Sequence, residues 1–546
     1  MEKYTGTGGQ ILVETLFANG VDRISSVAGE SYLPVLDALL DRPEIKVHTC
    51  RQEGGAGFMA EAWGKLTGRP GICFVTRGPG VCNASIAIHT ARQDSTPMIV
   101  FMGQVRRWER GRDAFQEVDV RAVFGTLAKW ATEIDDPTRI PEIVNHAFKI
   151  ATSGRPGPVV IGLPEDMLSE MAETTLLPPT PIFKPAPQTG DIDKIAEILM
   201  MAERPMVLVG GSGWSEQGIA EIASFAAGTH LPVVAAFRNH DLIDHRHGCY
   251  VGELGTGPNP ALVERVKAAD LLLVIGNNLD EITTQNYTLI ENQKLIHIHA
   301  DAEILGKVYA PVLAMQADVN QVATLLAAKA FQIDGRKWAS WRDAGRKDYV
   351  EWTTIDLSTR PQFNGADMTV IFEKLRQLLP QDAIITTDAG NFSGWAQRYL
   401  QYGRPGRLLA PISGAMGYSV PSAIGASIAN PDKVVLGLCG DGGFMMNGQE
   451  LATAMHHNAT PIIMVCNNQM YGTIRMHQEK KYPGRISATA LTNPDFVALA
   501  KSYGAFAIRV EHADQFESAW NAARESGTAA LIEISMDPRQ ITTRSV

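Results

Sequence analysis

The stretch VVLGLCGDGGFMMNGQELATAMHHNATPIIMVCNNQMYGT, Val434 to Thr473, constrains this chain more than any other. Its first apolar run, Val434–Cys439, halts at Gly440-Asp441-Gly442-Gly443, where glycine permits close backbone approach. Gln449–His457 then has helical spacing, and Pro461–Cys466 is a second short apolar run. The spacing predicts a strand, a tight loop, a helix, a strand and a loop. In such a unit the strands run parallel, so their carboxyl ends adjoin, and open α/β sheets bind ligands at that edge. Asp441 and the amides of Asn467 and Asn468 converge there from two loops. A carboxylate, an amide carbonyl and nearby peptide carbonyls are hard oxygen donors. They suit Mg²⁺, which completes its octahedron with phosphate oxygens and water. The glycine N–H groups and the helix start suit the phosphate. Gly-Asp-Gly alone is a common turn; the flanking strands and the Asn-Asn ending set this one apart.

The same pattern occurs earlier. In GICFVTRGPGVCNASIAIHTARQDSTPMIVFMGQ, Gly78-Pro79-Gly80 stands where Gly440-Asp441-Gly442 does, Thr96-Pro97 where Thr460-Pro461 does, and Gln104 where Gln469 does. Two related α/β domains therefore flank the chain. The first has proline in place of the acidic residue, so only the C-terminal copy is expected to bind metal. Helical and strand-like runs alternate through 1–170 and end at SGRPGPVVIGLPEDML. The proline-rich linker LLPPTPIFKPAPQTG follows. A central domain over 190–335 carries the strand-like runs PMVLVGG, LPVVAAF, DLLLVIGNN and KLIHIHAD. A connector over roughly 336–364, rich in charge and tryptophan, leads to the third domain over 365–546. The expected fold class is α/β, with three open, mostly parallel sheets.

Composition narrows the function classes. A net charge of −10 without a basic run argues against nucleic acid and anionic membrane partners. No apolar run approaches membrane-spanning length and no signal core opens the chain. Six cysteines lie scattered, mostly inside apolar runs, which reads as buried free thiols in a cytoplasmic protein.

The GDGG…NN motif, RQEGGA, DAFQEVD (Asp113–Asp119), SGRPGPV and MGYSVPSAIGA occur in an order that resembles the acetolactate synthase-like family of thiamine-diphosphate enzymes, over essentially the whole chain. The resemblance implies pyrimidine-binding, central and diphosphate-binding domains in that order. It also implies a homodimer or homotetramer, with the cofactor between the first domain of one subunit and the third of its neighbour. Asp441, Asn468 and the main-chain carbonyl of Met470 match the family's magnesium ligands. Glu53 matches the carboxylic acid that hydrogen-bonds the aminopyrimidine so that the cofactor can lose its C2 proton. Met416 matches the apolar residue that bends the cofactor, and backbone at Gly414 and Met416 would contact the pyrimidine. The remaining cofactor positions implied are Gly80, Gly390, Asn391, Phe392, Gly440, Gly442, Gly443, Tyr471, Gly472, Thr473 and Ile474. Glu53 also reads as a helix-start glutamate, and Met416 as core packing.

The implied activity is that of a lyase or transferase: it attacks a 2-oxo acid, decarboxylates it to an enamine, then protonates that or condenses it with an aldehyde or ketone acceptor. Phe115 and Gln116 would line the pocket. Two alternatives stand beside it: cleavage of 2-hydroxyacyl- or oxalyl-CoA thioesters, and a catalytically silent regulatory homologue. Intact Glu53, Asp441 and Asn468 argue against silence.

Three positions depart from the family pattern. Flavin-binding members carry an arginine-rich RFDDR-like stretch where this chain has Gly276-Asn277-Asn278-Leu279-Asp280-Glu281, so FAD is not expected although Arg155 is retained. The tryptophan that follows the Asn-Asn loop in acetolactate synthases is missing from Thr473–His477. Glu30, in SVAGESYLPVLDAL, occupies the active-site loop where acetolactate synthases have glycine and related decarboxylases have a proton-handling residue. Glu30 equally reads as a solvated glutamate at a helix start.

Overall fold

Three six-stranded sheets, every strand pair in them parallel, carry the architecture of the computed structural model, which describes residues 3–358 and 360–544. The first sheet contains β1 (Arg23–Ser26), β2 (Lys46–Thr49), β3 (Gly71–Val75), β4 (Met98–Gln104), β5 (Trp130–Glu133) and β6 (Pro158–Pro164), in the spatial order β2-β1-β3-β4-β6-β5. The central sheet contains β7 (Pro205–Val209), β8 (Val233–Ala235), β9 (Tyr250–Glu253), β10 (Leu271–Ile275), β11 (Lys294–His299) and β12 (Leu313–Gln316). Its order, β9-β8-β7-β10-β11-β12, reverses direction between β7 and β10, as in dinucleotide-binding sheets. The third sheet contains β13 (Ile384–Thr387), β14 (Leu408–Leu409), β15 (Val435–Gly440), β16 (Ile462–Asn467), β17 (Phe506–Val510) and β18 (Ala530–Ser535). Its order is β14-β13-β15-β16-β18-β17, strand for strand that of the first sheet. The α/β class and the internal repeat are both present.

The strands are continuous apolar runs because helices cover both faces; every residue of β4 and of β10 is buried. The first and third domains share a core. Helix α1 (Glu53–Thr67) packs on α4 (Ser419–Ala429), with Phe58 and Tyr418 edge to face at 5.2 Å. Glycines allow the approach: a Cβ at Gly425 would lie 3.1 Å from the Met59 carbonyl. Strand Met171–Thr175 turns back to pair antiparallel with Lys3–Thr7. Among the described residues no helix is long and apolar enough to cross a membrane.

Three local expectations differ from the fold. The Gly440–Gly443 segment is no loop: β15 passes directly into α5 (Asp441–Asn447), which yields to a 3₁₀ turn before α6 (Leu451–His456). The connector after the central domain holds the helix Ala339–Thr353, tied to that domain by the fully buried Trp338, whose indole N–H donates to the Ala202 carbonyl, 2.9 Å. Cys82, expected inside, is exposed on α2 (Gly78–Asp94); the other five cysteines are buried, and all six are free.

Candidate active site

The residues singled out in the third domain all lie at the carboxyl edge of four adjacent strands. Gly390-Asn391-Phe392 follow β13, Gly414 and Met416 follow β14, Gly440–Gly443 join β15 to α5, and Asn468–Ile474 lead from β16 into α7 (Gly472–Lys481). The loops interlock. The Asn391 N–H donates to Thr473 Oγ1, 3.0 Å, and a Cβ at Gly442 would meet the Tyr471 ring at 2.5 Å. Gly443 is as confined, because a Cβ there would collide with the Asp388 carboxylate. These close approaches exclude any side chain from positions 442 and 443 and leave the helix start open to a ligand.

Asp441 is buried, which raises its pKa by desolvation. Its Oδ1 accepts the Gly442 N–H, 2.9 Å, and its Oδ2 the Asn493 amide, 2.7 Å. Asn493 also donates to Asn467 Oδ1, 3.0 Å. Asn467 in turn donates to Glu533, 2.8 Å, and so serves as a strut beside the site. Asn468, half-buried, accepts the Met470 N–H, 3.2 Å, and the Met470 carbonyl accepts the Gly472 N–H, 2.9 Å, on the same turn. One carboxylate with neutral oxygens is a donor set for a hard divalent cation. Among the described residues no cluster of three or more His, Cys, Asp or Glu side chains offers a different centre.

The pyrimidine-domain residues lie on the equivalent edge of the first sheet: Glu30 after β1, Glu53 after β2, Gly80 after β3, and Phe115 and Gln116 after β4. Glu53 opens α1 and accepts the Asn83 amide, 2.9 Å, while Gly80 packs beside it. Gln116, at φ +65°, accepts the Gly78 N–H through its carbonyl, 3.0 Å, and Phe115 is 78% exposed. Glu30 is exposed at the start of a single 3₁₀ turn. Among the described residues, no hydrogen bond or ion pair within the chain links these five to Gly390–Phe392, Met416, Asp441 or Asn468. The fold builds two half-sites.

Sequence reasoning missed what holds Met416. The loop 410–419 is tied by side chains from all three domains. Lys65, itself bonded to Asp94, donates to the Ala410 carbonyl, 3.0 Å, and Arg238 to the Pro411 carbonyl, 2.8 Å. Asp94 accepts the Ile412 N–H, 2.8 Å, and Tyr418 donates to Glu61, 2.6 Å. Asp388, just past β13, accepts the N–H groups of Gly417, 3.0 Å, and Ser419, 2.6 Å. Only its position, an acid at a strand's carboxyl end ahead of a glycine, could have marked it. Asn493 carries no local signal.

Burial raises Asp388 to about 6, against the backbone N–H groups of Ser419, Gly417 and Tyr418, which lower it. An acid whose folded pKa exceeds its unfolded value contributes stability below the unfolded pKa and loses it as pH rises through the folded one. Denaturant titrations between pH 4 and 7 should therefore show the wild type losing on the order of 1–3 kcal/mol relative to Asp388→Asn across that window. Parallel curves for the two proteins would refute the ionisation.

The chain matches known proteins along most of its length. Residues 6–123, 192–326 and 388–534 match the N-terminal TPP binding, central and C-terminal TPP binding domains of thiamine pyrophosphate enzymes. The chain is 30% identical over 535 residues to the acetolactate synthase isozyme 2 large subunit of Escherichia coli, covering 97% of this chain and 95% of that one. It is 32% identical over 541 residues to the acetolactate synthase large subunit of Corynebacterium glutamicum, covering 95% and 85%. A probable acetolactate synthase large subunit of Methanocaldococcus jannaschii is 31% identical over 549 residues, covering 98% and 92%.

Proposed function

The chain belongs to the acetolactate synthase-like family of thiamine-diphosphate enzymes, and from that premise we propose that it decarboxylates a 2-oxo acid and joins the remainder to a second carbonyl compound. The observation that carries this reading is the pair of matching sheet edges, one presenting Glu53 and the other Asp441, Asn468 and Met416. Bound thiamine diphosphate supplies a nucleophilic carbon for attack on the 2-oxo acid carbonyl. Asp441, Asn468 and the Met470 carbonyl hold Mg²⁺, and the backbone of Gly442 and Gly443 receives the diphosphate. Met416, on its pinned loop, sets the cofactor's shape. Glu53 holds a proton at the pyrimidine, and Glu30 moves one to or from the reacting carbon. Phe115 and Gln116 shape the pocket wall.

Two copies of the chain complete the site. Exposed apolar side chains flank both edges: Ile86 beside the Cys82 face of α2, Met445 and Met446 on α5, and Ile474 on α7. A monomer has no use for such patches, whereas pairing subunits would cover them and bring Glu53 of one onto the metal half-site of the other.

The central domain takes no flavin in this reading. At its switch point, Asn277 closes on Gly210, whose carbonyl accepts the Trp214 indole N–H, 2.9 Å. Arg155 is engaged by Ser95 Oγ and the Arg92 carbonyl. Purified protein should be colourless and release no flavin on denaturation; a stoichiometric yellow chromophore would overturn this.

Mass-spectrometric product analysis tests the function directly. The protein with thiamine diphosphate and Mg²⁺, offered a panel of 2-oxo acids with and without aldehydes, should release CO₂ and form hydroxy-ketone products. No cofactor-dependent turnover of any 2-oxo acid would sink the reading.

A further inference from the structure

A cavity of about 900 Å³ opens between the central and third domains and reaches the loops carrying Asn391 and Gly414. A three-carbon 2-oxo acid would fill a small part of it. One wall is α7: Thr473, Met476, His477 and Lys480 recur at helical spacing along a single face. Thr473 is tied to Asn391 at the cofactor end, so Lys480, seven residues on, lies about 10 Å further out.

Among the described residues, three cations in this region lack a paired carboxylate. Arg398 stacks 3.9 Å from the centre of the Trp352 ring and donates to the Trp352 carbonyl, 2.8 Å. Arg544 lies 4.8 Å from the same indole and donates to the Pro258 carbonyl, 2.9 Å. Among the described residues neither guanidinium, nor Lys480, pairs with a carboxylate. Of the acids on the central-domain wall, Asp280 is engaged by Thr283, and Glu253 by His240 and the Arg238 N–H, while Glu281, exposed on the same wall, forms no ion pair among the described residues. Arg398, half-buried, and Arg544, exposed, share one indole, and the exposed Lys480 lines the same cavity, so an anion between them would relieve their mutual repulsion.

We propose that this cavity selects a carbonyl substrate whose far end is a phosphate ester, held by Arg398, Lys480 and Arg544. The inference rests on the carboligase reading for what happens at the inner end, and on the unpaired cations for the outer end. A dianion matches three cations better than a single carboxylate does, and guanidinium binds phosphate through paired N–H groups. The residues are specificity determinants and take no part in the bond changes.

Calorimetry on the protein loaded with thiamine diphosphate and Mg²⁺, without a 2-oxo acid, should find D-erythrose 4-phosphate bound at least about tenfold more tightly than D-erythrose. Lys480→Glu and Arg398→Gln should each bring that ratio towards one, and the ratio of kcat/KM for the two aldehydes as acceptors with pyruvate should fall in parallel. Lys480 is exposed and unbonded, so its variant folds whatever becomes of Arg398→Gln. Equal affinities in the wild type, or a ratio unmoved by both variants, would overturn the assignment; so would succinic semialdehyde binding better than the phosphate. Because binding is read without turnover, loss of the carboligase reading would leave this result standing.

Discussion

Glu53→Gln should slow 2-oxo acid turnover by about 10²–10⁴-fold while leaving thiamine diphosphate affinity largely intact. Glutamine keeps the length of the side chain and an oxygen to accept the Asn83 amide, the one side-chain hydrogen bond that Glu53 makes among the described residues. Its carboxylate opens α1, where the helix dipole contributes about 0.3–1 kcal/mol, so the fold tolerates the change. What disappears is the carboxyl that would hold a proton at the pyrimidine in the proposed chemistry. Deuterium exchange at the cofactor's C2, followed by NMR, isolates that step from substrate binding. Exchange at the wild-type rate would remove Glu53 from the proposed chemistry and return it to the role of a helix cap.

Asp441→Ala should abolish the Mg²⁺-dependent part of thiamine diphosphate binding. The carboxylate is the one anionic donor in its set; Asn468 and the Met470 carbonyl are neutral. The loss should exceed the roughly 10–100-fold that follows from altering an outer-shell partner alone. Because burial raises the pKa of Asp441, its ionised form is held at a cost in the ligand-free protein. Thermal melts without cofactor should therefore show Asp441→Ala no less stable than wild type, apart from the bonds lost to Gly442 and Asn493. Calorimetric titration with and without Mg²⁺ reads the binding effect, and unchanged affinity would assign the ion to other residues.

Both residues stood out in the sequence for local reasons. A β-strand announces itself over five or six residues, and a glycine-rich stop after it marks the carboxyl end where ligands bind. The parallel between Gly78-Pro79-Gly80 and Gly440-Asp441-Gly442 marked two related domains, and the structure adds that their sheets share one strand order. Periodicity failed where a short-range pattern admitted two outcomes. The glycines of Gly440–Gly443 suggested a loop, yet α5 starts at Asp441, since a helix tolerates glycine in its first turn when neighbouring loops press against it. The 336–364 segment looked like a connector because its charges mask a helix whose anchor, Trp338, is buried against the central domain.

Everything that depends on charges meeting across domains was decided by tertiary structure. Lys65, Asp94 and Arg238 lie 345, 318 and 173 residues from the groups they hold in the Met416 loop, and nothing in their own surroundings marks them. Asn493 reaches Asp441 over 52 positions. Arg398, Arg544 and Lys480 read as ordinary solvated cations until packing sets two on one indole and the third along the same cavity, none of them paired with a carboxylate among the described residues. Backbone propensity acts over a turn or a strand, so sequence displays it. Electrostatic pairing acts over a few ångströms in space, and those distances exist only once the sheets have packed.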